Sequence, residues 1–294
     1  MILHALSLLI VVGSLAACSP REGARDTFAV LDDFADTVHL RATSKRIVSL
    51  SPVTTEILFA IGAGDRVVGR THWDLYPLAA QAVTDVGNGM QPNVEVILGV
   101  HPDLVVLYAS ASNRAAAAQF RKAGIETLAI RTDHIADFSR AVQWLARATG
   151  DSAAGAVLTD SVERTLSAIR ALPRPAKPPT VFWHIWDSPI YTVGQGSFIS
   201  ELVEIVGGRN VFDDLAAPSP QVTMEEIVRR NPDFVVSGPV SAPKIRASAA
   251  WHAVPAVRAG RIIVVDTALV GRPGTRLGEA ARHLRALLVP DRAR

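Results

Sequence analysis

Glu95-Val-Ile-Leu-Gly-Val-His-Pro102-Asp-Leu-Val-Val106 and Glu225-Glu-Ile-Val-Arg-Arg-Asn-Pro232-Asp-Phe-Val-Val236 align without a gap, and that match decides the fold. Each reads as a short helix, a proline that closes it, and a strand rich in β-branched residues. A second pair lies upstream of the first in both halves: Glu56-Ile-Leu-Phe-Ala-Ile-Gly62 answers Glu201-Leu-Val-Glu-Ile-Val-Gly207. Two units in the same order predict two α/β lobes of similar construction rather than one large sheet. The length of 294 residues suits two lobes of about 120 residues each.

Between the halves lies Asp151 to Leu172, an unbroken run rich in Ala, Leu, Arg and Glu that ends at Pro173-Arg-Pro-Ala-Lys-Pro-Pro179. It predicts one long helix of about 33 Å at about 1.5 Å per residue, long enough to join the lobes as a strut. The expected organisation is an N-terminal lobe over 27–150, the bridging helix over 151–172 and a C-terminal lobe over 178–290, with two Rossmann-like lobes. A helical strut permits little hinge motion between them.

Local signals within the halves agree. Ile47-Val-Ser-Leu50 reads as a strand; Ser51-Pro52 follows as N-cap and first helical residue, and Gly62 and Gly64 end the helix. Leu277 to Leu288 reads as a last helix. The 30 basic and 28 acidic residues leave a net charge of only +2 with no basic stripe, so nucleic acid is not an expected partner.

The first seventeen residues carry no Asp, Glu, Lys or Arg and contain an apolar run of signal-peptide length that stops at Ser19-Pro20, too short to span a membrane. Residues 1–17 are therefore expected to be an export signal. Leu15-Ala-Ala-Cys18 resembles the lipobox of bacterial lipoproteins, in which the cysteine becomes the acylated first residue, and Cys18 is the chain's only cysteine. A lone cysteine has no internal disulfide partner, so modification is the expectation, with 18–26 as a lipidated tether and the membrane as a partner through it. The n-region departs from the usual pattern in carrying only His4 as a basic residue.

Arg46-Ile-Val-Ser-Leu-Ser-Pro52 with Thr55-Glu56, Val68-Gly69 with Tyr76-Pro77, Gly194-Gln-Gly-Ser-Phe-Ile199, Gly207-Gly-Arg-Asn-Val-Phe212 and Arg272-Pro-Gly-Thr-Arg276 follow in order. In this the chain resembles the periplasmic binding proteins with a helical backbone, which serve ABC importers of cobalamin, haem and iron-siderophores. The resemblance covers nearly all of the chain after Cys18 and is nearest the cobalamin binders. It implies an exported, membrane-anchored monomer in the periplasm or at the cell surface. Such a protein has no cofactor of its own, binds a corrinoid-like metal chelate in the cleft between its lobes with only a small closure, and delivers it to a membrane permease. Ser219 stands where the cobalamin binders have tryptophan, so haem or a ferric siderophore is the alternative ligand.

Carried over position by position, the resemblance implies ligand contacts at Trp73 and Tyr191, and Tyr76 and Trp186 are further aromatic candidates in predicted loops. Large rings there offer flat apolar area to a macrocycle, though each could instead pack at a lobe edge. His72 is a candidate for hydrogen bonding in the cleft or, like His184, for axial ligation of a chelated metal. Arg272 and Arg276 offer guanidinium forks to a phosphate, propionate or amide oxygen; surface ion pairing or a helix start are the alternatives. Glu95 and Glu225 are implied as permease-docking groups, one per lobe. Each could alternatively serve its helix dipole, and in a Thr223–Glu226 capping box Glu226 faces the cap while Glu225 stays free.

Other classes fit less well. There is no Gly-x-Ser-x-Gly elbow, phosphate-binding Gly-x-x-x-x-Gly-Lys loop or His-Glu-x-x-His pair, and His72 with Asp74 has the spacing of a chance loop pair, so no turnover is expected. A bare zinc or manganese carrier needs three or four converging ligands, and the seven histidines after Cys18 are scattered.

Overall fold

The computed structural model describes residues 27–41 and 43–290. The expected export signal and tether, with Cys18, lie outside the described residues.

The N-terminal half contributes β1 (Thr27–Leu31), β2 (Thr37–Arg41), β3 (Ile47–Ser49), α1 (Pro52–Ala60), β4 (Val67–Arg70), α2 (Val94–Gly99), β5 (Leu104–Tyr108), α3 (Ala111–Lys122), β6 (Glu126–Ile130) and α4 (Ile135–Thr149). Then comes α5 (Ser152–Arg170). The C-terminal half follows with β7 (Thr180–Trp183), β8 (Trp186–Asp187), β9 (Ile190–Tyr191), α6 (Phe198–Ile205), β10 (Arg209–Asn210), α7 (Met224–Arg230) and β11 (Phe234–Ser237). It ends in α8 (Ala242–Ala247), α9 (Pro255–Arg258), β12 (Ile262–Val264), α10 (Thr267–Val270) and α11 (Leu277–Leu288). Two four-stranded parallel sheets result, β4-β3-β5-β6 and β10-β7-β11-β12, so the fold is α/β with two lobes.

The repeat is repeated in backbone detail. His101 and Asn231, each just before its proline, both take the left-handed conformation that ends α2 and α7 (φ 51° and 45°). Asp103 then accepts hydrogen bonds from the Lys45 and Arg46 N–H groups, and Asp233 from the Thr180 N–H and hydroxyl. Each aspartate thereby ties the start of its strand to the neighbouring strand. Gly62 and Gly207, which follow α1 and α6, also match at φ 85° and 91°.

Strand alternation divides the core. Ile47, Leu104, Val106, Leu128 and Ile130 face one apolar cluster, while Val48, Val105, Leu107 and Ala129 face another on the other side of the sheet. The second lobe repeats this: Val181, Trp183 and Val236 join the first cluster, while Phe182, Val235 and Ile262 form their own. The first cluster is therefore continuous through both lobes, and it includes Val162, Leu166 and Ile169 of α5. At 19 residues, α5 is about 28 Å long at about 1.5 Å per residue. It packs on α4 of the first half and on α6 and α11 of the second.

Residues 27–41, for which the sequence suggested no element, form an antiparallel hairpin. Buried Asp32 organises its turn by accepting from the Phe34 and Asp36 N–H groups, and a further bond from the Ala129 N–H ties it to β6. Ser51 is the N-cap residue of α1, but its side chain makes no capping hydrogen bond. Its carbonyl instead accepts from the Thr54 hydroxyl.

Candidate functional site

In a parallel sheet every strand ends on the same edge, and the loops leaving that edge are where open α/β folds hold ligands. On the first lobe these loops bound a cavity of about 370 Å³, lined by Leu50, Ser51 and Pro52 after β3, Thr71 and Trp73 after β4, Tyr108 at the end of β5, Asp133 after β6, and Asn88 to Met90. Grooves of about 570 and 580 Å³ elsewhere run along α5, away from the strand ends.

The loop carrying Trp73 is held from below. Asp74 is fully buried and accepts from the Thr55 and Thr71 hydroxyls (both 2.6 Å) and from the Thr71 N–H (3.2 Å). Burial pushes its carboxyl pKa up, and these donors act against that rise. The fixed turn leaves Trp73 59% exposed, with the His72 ring tilted against it at 4.6 Å. Among the described residues His72 makes no hydrogen bond to Asp74, whose partners are the two threonines.

The structure gathers Tyr76, Arg272 and Arg276 around a residue the sequence reading left without a role, Glu56 of α1. Its side chain is 2% exposed and lies 3.6 Å from Arg272, 3.4 Å from Arg276 and 3.1 Å from the Thr275 hydroxyl, which donates to it. Burial raises the Glu56 pKa, opposed by the two guanidinium charges and then by the hydrogen bonds. Arg272 also donates to the Trp73 carbonyl (3.0 Å); Arg276 donates to the Ala268 carbonyl (2.8 Å) and stacks over the Tyr76 ring at 3.9 Å. Both arginines are thus engaged across the lobe junction, with Arg272 steadying the Trp73 loop. The signal for Glu56 was available: it is an acid amid Val53-Thr-Thr-Glu-Ile-Leu58, a segment buried throughout, and such a carboxylate needs a charged partner.

A second junction lies at α4 and α6. Glu201 reaches the His134 ring (2.5 Å) and accepts from the Ile135 N–H (3.1 Å), while the Phe198 N–H donates to the Asp133 carbonyl (2.8 Å).

On the second lobe Trp186 and Tyr191 pair in register in the β8–β9 hairpin that follows β7. Trp186 is 63% exposed, whereas Tyr191 is half-buried. The hairpin is anchored by His184, which is buried, bonds Asp187 (2.8 Å), lies 3.3 Å from the Ser237 hydroxyl and packs edge-on against Trp251. Burial lowers the His184 pKa, and Asp187 counteracts this. Trp73, Tyr76 and Trp186 are the exposed large aromatics among the described residues.

Glu95 and Glu225 stand exposed in the first turns of α2 and α7. Glu226 closes a capping box with Thr223, accepting from the Thr223 N–H at 2.9 Å, and that bond lowers its pKa. Among the described residues no three His, Cys, Asp or Glu side chains converge on a metal site, and no helix is long and apolar enough to cross a membrane.

The family described as periplasmic binding protein matches residues 47–269. A Bacillus subtilis (strain 168) protein described as an uncharacterised ABC transporter substrate-binding lipoprotein, YvrC, is 31% identical over 97% of this chain and 96% of its own length. A cobalamin-binding protein of Halobacterium salinarum is 32% identical over 82% of this chain and 69% of its own. Among solved structures, the periplasmic haem-binding protein RhuT from Roseiflexus sp. RS-1 superposes with a TM-score of 0.76 at 26% identity, covering 83% of this chain and 98% of its own. The chain belongs to the periplasmic binding protein family, in the class serving ABC importers of cobalamin, haem and iron, and is a solute-binding transport component rather than an enzyme.

Proposed function

We propose that this chain is a lipid-anchored carrier that holds a corrinoid between its lobes and delivers it to the permease of an ABC importer. The observation that carries this reading is the pair of exposed tryptophans, Trp73 and Trp186, one from each lobe, Trp73 on the loop after β4 and Trp186 in the hairpin after β7. Leaving about 150 Å² of a tryptophan in water forgoes roughly 4 kcal/mol at about 25 cal/mol per Å², so two such rings suit a flat apolar partner. The likeness to the Halobacterium cobalamin-binding protein supports a corrinoid. Haem is the second reading, favoured by the likeness to RhuT; a ferric siderophore is the third. The apolar core shared through α5 supports a small closure on binding, which ligand-dependent scattering would test: a large change in radius would refute it.

Tyr76, Tyr191 and His72 belong to the same proposed rim, although Tyr76 is stacked on Arg276. Arg272 and Arg276 serve the site in this reading by holding the Trp73 loop and Tyr76. Glu95 and Glu225 are proposed to dock the permease, since rim charges set register and encounter more than affinity. Charge reversal at either should lower uptake while leaving ligand binding intact. Cys18 is proposed as the acylated residue; the YvrC lipoprotein supports this, and Cys18→Ala should release the protein from membranes.

Titration calorimetry of the mature chain with Cys18 replaced, against cyanocobalamin, cobinamide, haemin and a ferric hydroxamate, tests the ligand. Tight one-to-one corrinoid binding is expected, weakened at least tenfold by Trp73→Ala, as for a buried aromatic anchor worth about 2 kcal/mol. Binding of haemin or the hydroxamate alone would discard the corrinoid.

A further inference from the structure

The cavity beside Trp73 is lined by one formal charge, that of Asp133, and no cation. Asp133 is also held firmly at the lobe junction. Its N–H donates to Asp137 (3.0 Å), and its carbonyl accepts from Phe198 of the other lobe (2.8 Å). On its side chain Oδ1 accepts the Tyr108 hydroxyl at 2.6 Å, while Oδ2 takes no protein hydrogen bond among the described residues. Burial, followed by that bond, raises the Tyr108 pKa, so the phenol stays a donor and holds the carboxylate in one orientation. The nearby Arg131 guanidinium donates to the Ala109 carbonyl (3.4 Å).

We infer that Asp133, oriented by Tyr108, is a specificity residue: it accepts N–H donors from an uncharged, amide-bearing macrocycle and disfavours the same macrocycle bearing carboxylates. This rests on the corrinoid reading of the cleft and deepens it, because a corrinoid periphery carries carboxamides whereas haem carries two propionates. A half-buried acceptor still loses water when a partner without a donor covers it, and a second carboxylate beside it adds like-charge repulsion.

The test compares matched ligand pairs that differ only in this chemistry: cobinamide against its monocarboxylic acids, and haemin against its bis-amide. Each pair is titrated into the wild type, Asp133→Asn and Tyr108→Phe, with circular dichroism melts to confirm folding. In the wild type the amide form of each bound pair should be favoured about tenfold, the size of one hydrogen bond to a charged group. Asp133→Asn should shrink that ratio to about twofold, since an amide side chain tolerates either partner, and Tyr108→Phe, which frees the carboxylate to turn, should shrink it less. Equal ratios in wild type and Asp133→Asn would overturn the inference while leaving the corrinoid reading intact. Amide preference seen only in the haemin pair, and lost in Asp133→Asn, would keep the inference and discard the corrinoid. Wild-type preference for free haemin over its bis-amide, or binding of none of the four, would overturn both.

Discussion

Glu56 and Glu201 occupy equivalent places in the two halves, and each reaches across to the opposite lobe, but they do so in different surroundings. Glu56 is 2% exposed and faces two arginines and a threonine; Glu201 is 34% exposed and faces a half-exposed histidine and one backbone N–H. A buried charge cluster is costly to break because the remaining charges lose their partner away from water, whereas an exposed pair exchanges its partner for solvent. The two crossings therefore differ in kind. The Glu56 side holds the Trp73 loop and Tyr76 in one geometry, and the Glu201 side is an exposed contact beside α4 that can give way at little cost.

The largest effect should come from breaking the buried crossing. Glu56→Ala is expected to lower stability by about 3 kcal/mol in urea unfolding, because it strands Arg272 and Arg276; Glu201→Ala should lose about 0.5 kcal/mol. Equal losses would erase the distinction. Ligand affinity should fall with Glu56→Ala at temperatures where the variant remains folded, through the loosened Trp73 loop, and stay near wild type for Glu201→Ala.

The glycines that close the two helices sharpen the comparison at a smaller scale. Gly62 and Gly207 both have positive φ, but a Cβ at Gly62 meets nothing within 4 Å, whereas at Gly207 it would lie 3.3 Å from Arg285 and 3.4 Å from Pro175. Gly62→Ala should cost about 1 kcal/mol from backbone strain alone, and Gly207→Ala about 2 kcal/mol with the added crowding. Thermal unfolding of the two variants side by side reads the difference.

The smallest effect is in pH. The hydrogen bond to Glu201 raises the His134 pKa above its ordinary 6.5, outweighing burial. The folded state then favours the protonated ring, so this crossing contributes fully below 6.5 and fades as pH rises through the raised value. His134→Gln should therefore differ from wild type at pH 6 by a few tenths of a kcal/mol, less at pH 8, since the pair is exposed. His184 has the opposite sign: burial lowers its pKa, so its contribution is lost as pH falls below 6.5 through the depressed value. A His184→Gln variant should accordingly lose less stability than wild type on acidification.

Much of this organisation was legible in the chain. The gapless match of Glu95–Val106 with Glu225–Val236 carries two α–β units whose strands and helix stops recur, because each proline and the left-handed residue before it impose local geometry without help from distant segments, whereas the aspartate ties that follow reach partners on another strand. Leu277–Leu288 was equally plain from its helical period. Trp73 and Trp186 could be named as candidates, Trp73 from the family resemblance, and both are exposed, Trp186 within the β8–β9 hairpin. The 27–41 hairpin was not visible, because its docking on β6 depends on Asp32 meeting the Ala129 N–H nearly a hundred residues away. Nor could Arg272 and Arg276 be told apart from free cleft donors, nor Glu56, Tyr108 and Asp133 be given partners. A charge's role depends on what lies within a few ångströms of it, and those neighbours come from the other lobe or another strand. Local backbone chemistry was determined by the sequence alone; which charges are paired, buried or left facing the cavity was decided only when the two lobes came together.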